Sequence, residues 1–165
     1  MGRTSTNHSI LNPFTIIGGG NFEIFTQPSN EMWNKGNTLT TLNNNVVNKT
    51  IYDPCPSNYK IPRSAAFSYC NSSGGDQNGN FNVSGSFNKG WYFYTNGWQT
   101  GTTYFLPALG NRENGLTGVG GAGNYFVSAR ENNDRVRQLY FQSGRVAVND
   151  VYGSSVARNV LGDRD

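Results

Sequence analysis

Asn124-Tyr125-Phe126-Val127-Ser128, Val136-Arg137-Gln138-Leu139-Tyr140-Phe141 and Arg145-Val146-Ala147-Val148 are the three runs on which the fold turns. Each is rich in β-branched and aromatic residues and is bounded by Gly, Asn, Asp or Ser, the punctuation of short strands. With Ser155-Val156-Ala157-Arg158-Asn159-Val160 they predict a sheet that holds the intervening loops. Side chains alternate along a strand, so Leu139, Phe141, Val146 and Val148 turn inward while alternate polar residues meet solvent. The candidates for ligand contact are Arg130, Asn132, Asp134, Arg135, Arg137, Gln142, Arg145, Asn149, Asp150 and Tyr152. Arg and Tyr supply anchors; Asn and Asp supply adaptable hydrogen bonds. The plainer alternative for each is a solvated surface, and Arg112 and Arg158 could equally tie loops to backbone carbonyls.

Upstream, Phe81-Asn82-Val83 and Trp91-Tyr92-Phe93-Tyr94 flank a Gly-bounded turn and predict a hairpin. Thr102-Thr103-Tyr104-Phe105-Leu106 is the most apolar run, expected as a central strand that ends at Pro107. Val46 to Tyr52 reads as a strand stopped by Asp53-Pro54-Cys55-Pro56. Pro62 then opens Arg63 to Cys70, the one helix the sequence supports, with Phe67 and Cys70 three apart on one face. Asn71–Asn80 and Leu109–Gly123 read as loops. Residues 1–45 form an N-terminal arm with a short strand at Phe22-Glu23-Ile24-Phe25 and Trp33 packed on the domain; residues 46–165 are the domain itself.

Composition narrows the class. Of 165 residues, 21 are Gly and only 14% are charged, yet three Trp, nine Tyr and ten Phe are there to build a core. The chain is long enough to fold without a metal or disulfide framework. A net charge of +3 is too small for a nucleic-acid footprint. Arg112, Arg130, Arg135, Arg137, Arg145, Arg158 and Arg164 are nearly balanced by Glu113, Glu131, Asp134 and Asp150, which suits a polar recognition surface.

Chemistry is sparse. The single histidine, His8, lies in the arm, which removes histidine-based triads and most zinc sites. Gly18-Gly19-Gly20 and Gly118-Val119-Gly120-Gly121 lack the helix and lysine of a phosphate cradle. Glu113 with Glu131 or Asp150 is the remaining carboxylate pair, without a spacing that singles it out. Glu131-Asn132-Asn133-Asp134 and Asn149-Asp150 have calcium-type oxygens, as Asn-rich loops do by chance. No enzyme, cofactor or metal is expected. Cys55 and Cys70 allow one disulfide, closing a loop worth roughly 3 kcal/mol, or two buried thiols. The first residues lack the apolar core of a secretory leader, and no apolar run is long enough to cross a membrane. Sequons stand at Asn48-Lys49-Thr50, Asn71-Ser72-Ser73 and Asn82-Val83-Ser84.

Ile51-Tyr52-Asp53-Pro54-Cys55-Pro56-Ser57-Asn58-Tyr59-Lys60-Ile61-Pro62 resembles the opening motif of bacterial surface domains known as the Fibrobacter succinogenes major paralogous domain. The likeness continues in order through Gly85–Tyr94, Phe105–Arg112, Asn124–Ser128, Leu139–Phe141 and Gly153–Val156. It departs at Phe126-Val127, where that family usually has Trp, in a longer last strand, and in lacking a closing cysteine. The resemblance implies an α+β, C-type lectin-like fold: β-rich, with one or two short helices and long Gly/Asn-rich loops. It also implies an adhesin, lipoprotein or fimbrial module of Bacteroidales type, or a phage receptor-binding tip. The calcium-dependent sugar motifs of animal lectins are missing, so that property does not carry over. A related group with this fold, the variable proteins of diversity-generating retroelements, diversifies a C-terminal binding face, and Arg130 to Tyr152 has that look.

The expectation is a non-enzymatic ligand-binding domain on a cell or virion surface. Its partner would be a protein or glycan on another cell or host surface, with no nucleic acid and no membrane insertion. The alternative is a structural fimbrial or lipoprotein module without a specific ligand.

Overall fold

The computed structural model describes residues 33–36, 44–51, 53–71, 76–77, 81–112, 115–131, 135–153 and 158–164. Along them run β1 (Tyr59–Lys60), β2 (Asp76–Gln77), β3 (Val83–Ser84), β4 (Gly90–Tyr94), β5 (Thr103–Pro107), β6 (Asn111–Arg112), β7 (Leu116–Thr117), β8 (Gly123–Arg130), β9 (Arg135–Gln142), β10 (Arg145–Gly153) and β11 (Asp163–Arg164). The main sheet has the order β2-β10-β9-β8; a second has the order β3-β4-β5; β6-β7 and β1-β11 are two-stranded. All of these strand pairs are antiparallel.

Ser143-Gly144 closes the β9–β10 hairpin and sets Arg145 opposite Gln142. Between Ala147 and Asp150 the register shifts, so β10 carries an extra residue. Side chains before and after this bulge exchange faces. Tyr125, Val127, Leu139, Phe141, Val146 and Val148 build the main core with Phe67, Cys70, Trp91, Phe93 and Leu106. Phe141 meets Phe93 edge-on at 5.5 Å and stacks with Tyr125 at 6.1 Å. Gly123, opposite Phe141, is required there: a Cβ would run into the Phe141 ring. On the other face of the sheet Phe126 and Val136 join Trp33 and Ile61 in a second cluster, with Trp33 and Phe126 rings 4.9 Å apart.

All eight residues of β8 are buried, where alternation predicts that half of them face solvent. Apolar residues of β8 enter both clusters, and its free edge is covered. Phe126 N donates to Asn159 O at 3.1 Å, Asn159 N to Asn124 O at 3.1 Å, and Ser128 N to Pro62 O at 2.8 Å. Asn159 thereby forms a parallel bridge with Tyr125, the described remnant of the strand expected over 155–160, whose first residues lie outside the described ones.

The expected α+β class is overturned. The described residues contain no α-helix, and the C-type lectin-like architecture expected with that class is withdrawn in favour of a β-rich chain of antiparallel sheets. The predicted helix over 63–70 is a series of i→i+3 turns: Ala66 N to Arg63 O and Ser68 N to Ala65 O at 3.0 Å, and Cys70 N to Phe67 O at 2.9 Å. Only Ser68–Cys70 is a 3-10 turn. Eight residues give little to offset helix nucleation by themselves, and residues three apart eclipse in this tighter coil, which buries Phe67 and Cys70 together.

Three further expectations change. Of the run predicted as a strand over Val46 to Tyr52, Tyr52 lies outside the described residues, and the described ones make only the bridge between Asn34 and Lys49, with Val46 and Ile51 exposed. Instead of a ladder, Lys49 Nζ donates to Pro56 O at 2.9 Å and to Cys55 O and Tyr59 O at 2.5 Å. Asp53 accepts from Cys55 N at 2.8 Å and Ile61 N at 2.9 Å, so the proline-rich motif is a clamped loop. The run at 102–106 does become β5, but at a sheet edge. Both cysteines are free thiols: Cys70 lies in the main core and Cys55 against the second cluster, so the disulfide weighed above is not formed. The arm's predicted strand and His8 lie outside the described residues; Trp33 is buried as expected.

Candidate functional site

β9 and β10 carry a polar cluster on the face away from the main core. Register places Gln138 opposite Asp150, Tyr140 opposite Ala147 and Gln142 opposite Arg145. The Arg145 guanidinium lies 4.8 Å from the Tyr140 ring centre and donates to Asp150 Oδ1 at 3.3 Å. Asp150 Oδ2 accepts from Gln138 Nε2 at 2.6 Å, and Tyr140 Oη donates to Gln142 Oε1 at 3.0 Å. Farther along β10, Tyr152 is 43% exposed and lies beneath the Arg158 guanidinium at 4.2 Å. Arg158 also donates to Asn124 Oδ1 at 2.7 Å. Each Arg–Tyr pair couples a cation to a ring quadrupole, an interaction of about 0.5–1 kcal/mol at exposed sites; Arg158, whose Nε and Nη2 are buried, is held inside the face and presents Tyr152 rather than itself. The bulge makes this grouping, since without it Arg145 and Asp150 would point to opposite faces.

The nominated residues divide. Gln142, Arg145, Asp150 and Tyr152 come together on this outer face. Arg137 is directed to the other side with Leu139, where it donates to Asn149 Oδ1 at 2.6 Å. Arg137 and Arg135 both approach Glu131 at 4.0 Å. Arg130 is 3% exposed at the end of β8 and is not presented to solvent, a correction that follows from the covering of that strand. Asn132 and Asp134 lie outside the described residues. Sequence reasoning missed Gln138, Tyr140 and Arg158 as members of the cluster. Gln138 and Tyr140 share the alternation of Gln142, a signal that was legible; the contact between Arg158 and Tyr152 was not.

The remaining chemistry is modest. Glu131 is engaged by Arg135 and Arg137, and Asp150 by Arg145 and Gln138. Among the described residues no group of three or more His, Cys, Asp and Glu side chains is placed to hold a metal ion. No described helix is long and apolar enough to cross a membrane. A shallow cavity of about 370 Å³ lies elsewhere, lined by Asn44, Arg63, Phe67, Tyr69 and Asp163 among others. No protein-family model, curated protein or solved structure matches the chain.

Proposed function

We propose that the chain is a non-enzymatic, receptor- or adhesin-type ligand-binding domain, displayed on a cell or virion surface and needing no cofactor. Its ligand is a protein or glycan on another surface. The observation that carries this reading is the outer-face cluster of Tyr140, Gln142, Arg145, Asp150, Tyr152 and Arg158, held on a hydrogen-bonded sheet. Large amphipathic rings and guanidinium groups on a stiff scaffold recognise partners at low entropic cost. The ordered motif resemblance supports the same reading, as does the separation of these side chains from the core residues Leu139, Phe141, Val146 and Val148. The second cluster shares this face, with Val136 opposite Tyr152, so diversification would be confined to the exposed side chains around it.

The test is binding of the labelled full chain to an immobilised panel of surface glycans and extracellular proteins. Tyr152→Ala and Arg145→Ala should each weaken a captured interaction by about 10-fold or more, the scale of an interface anchor. If both variants bind as the parent does while keeping its circular dichroism, the outer face is not the site. A structural fimbrial or lipoprotein module is the second reading. It is favoured by the internal pairing of Arg137 with Asn149 and Gln138 with Asp150, and it predicts that the panel captures nothing.

A further inference from the structure

β5 is the outer strand of its sheet, and among the described residues its free edge has no backbone partner. The direction of its peptide groups follows from the bonds at either end. Thr95 N donates to Thr102 O at 3.0 Å and Ala108 N to Lys89 O at 2.7 Å, so Thr102, Tyr104, Leu106 and Ala108 turn their polar groups toward β4. Thr103, Phe105 and Pro107 turn theirs outward. Pro107 has no N–H, and its carbonyl already accepts from Tyr125 Oη at 2.7 Å and Leu109 N at 3.1 Å. The open edge therefore offers the N–H and C=O of Thr103 and of Phe105.

Natural sheet edges are usually blunted by charge. Here no charged residue occurs between Lys89 and Arg112. Rings are exposed instead: Tyr104 is 48% exposed, Phe105 36%, and Tyr92 51%, with the Tyr92 and Phe105 rings 4.8 Å apart.

We propose that β5 pairs antiparallel with β5 of a second copy of this chain, Thr103 facing the second copy's Phe105 and Tyr104 on the two-fold axis. In that register each Thr103 exchanges both of its bonds with a Phe105, which satisfies every outward N–H and C=O of both residues. Sliding the pairing toward Pro107 leaves Thr103 O without a donor, because Pro107 has no N–H, so the proline disfavours that register. Identical copies meet without repulsion because the strand is uncharged. The three exposed rings amount to roughly 600 Å² over two copies, well under the ~1,200 Å² of a stable interface. The dimer is therefore weak in dilute solution and gains occupancy where copies are crowded on a surface, presenting two outer faces at once.

Sedimentation of the full chain from about 10 μM to about 1 mM tests the pairing. A concentration-dependent dimer is expected, weakened at least 10-fold by Phe105→Lys and by Thr103→Pro, which removes an outward N–H without touching the β4 ladder. Tyr152→Ala should leave association unchanged, which keeps this outcome separate from ligand binding. In a Cys55→Ser background, Tyr104→Cys should cross-link between copies on mild oxidation, whereas exposed Val46→Cys should not. A monomer throughout, unchanged association in folded Phe105→Lys, or a dimer that Tyr104→Cys fails to trap would each overturn the proposal.

Discussion

The carboxamide of Asn82 ties its own segment to the turn at Ser68–Cys70 and to the stretch 94–99. Its Nδ2 donates its two protons to Tyr69 O at 2.9 Å and Gly97 O at 3.0 Å, with Tyr94 O at 3.3 Å sharing one of them, and its Oδ1 accepts from Gln99 N at 2.7 Å. Asn71 is likewise buried, with Nδ2 on Val146 O at 2.8 Å. Two of the three sequons are therefore occupied by structural asparagines, and only Asn48 is exposed. Asn82→Ala strips the buried carbonyls of their donor and should cost about 2–4 kcal/mol in urea unfolding. A loss under about 0.5 kcal/mol would mean that water replaces the carboxamide. The thiols make a second residue-scale case. Burial, then the hydrogen bond to Asp53, lifts Cys55 to about 11, and burial pushes Cys70 higher still. Alkylation near pH 7.5 should be slower at Cys55 than in a model thiol and undetectable at Cys70 until the chain unfolds.

Elements depend on contacts between residues far apart in sequence. Gly123 opens β8 opposite Phe141, whose ring fills the space a side chain would need. Gly123→Ala should destabilise by about 1–3 kcal/mol, and Phe141→Leu in the same chain should relieve part of that cost. Strictly additive losses would sink the packing argument. The three C-terminal runs were legible as strands because alternation and turn residues are local. The two-sided burial of β8 was not, because Asn159 and Pro62 supply its cover from distant sequence. The helix over 63–70 failed because a spacing of three fits a 3-10 turn as well as an α-helix. At the site, Gln142 and Arg145 were legible by alternation, and Asp150 and Tyr152 only as polar and aromatic residues following the predicted run 145–148. Their assembly on one face depends on the bulge after Ala147, which no residue type announces.

The molecule as a whole should be sensitive to alkali. Burial pushes the phenols of Tyr69 and Tyr125 well above their ordinary 10.0, helped by neighbouring charge at Cys70 and Tyr104 respectively. Burial does the same to Cys70, above an ordinary 9.0, against a lowering by its hydrogen bond to Tyr69. In each case the folded state holds its proton more tightly than the unfolded chain does. Their contribution is complete below pH 9 and is lost as the unfolded chain ionises first; each group adds a slope approaching about 1.4 kcal/mol per pH unit. Urea unfolding from pH 7 to 11 should show a plateau and then a decline that steepens above about pH 10. Tyr125→Phe is the discriminating variant, because Tyr125 Oη also donates to Pro107 O at 2.7 Å. The variant should be about 1 kcal/mol less stable at pH 7, from the lost hydrogen bond, and show a shallower alkaline decline, from the lost titration. If its curve merely runs parallel to that of the parent, Tyr125 does not take part in the alkaline transition and the decline belongs to Tyr69 and Cys70.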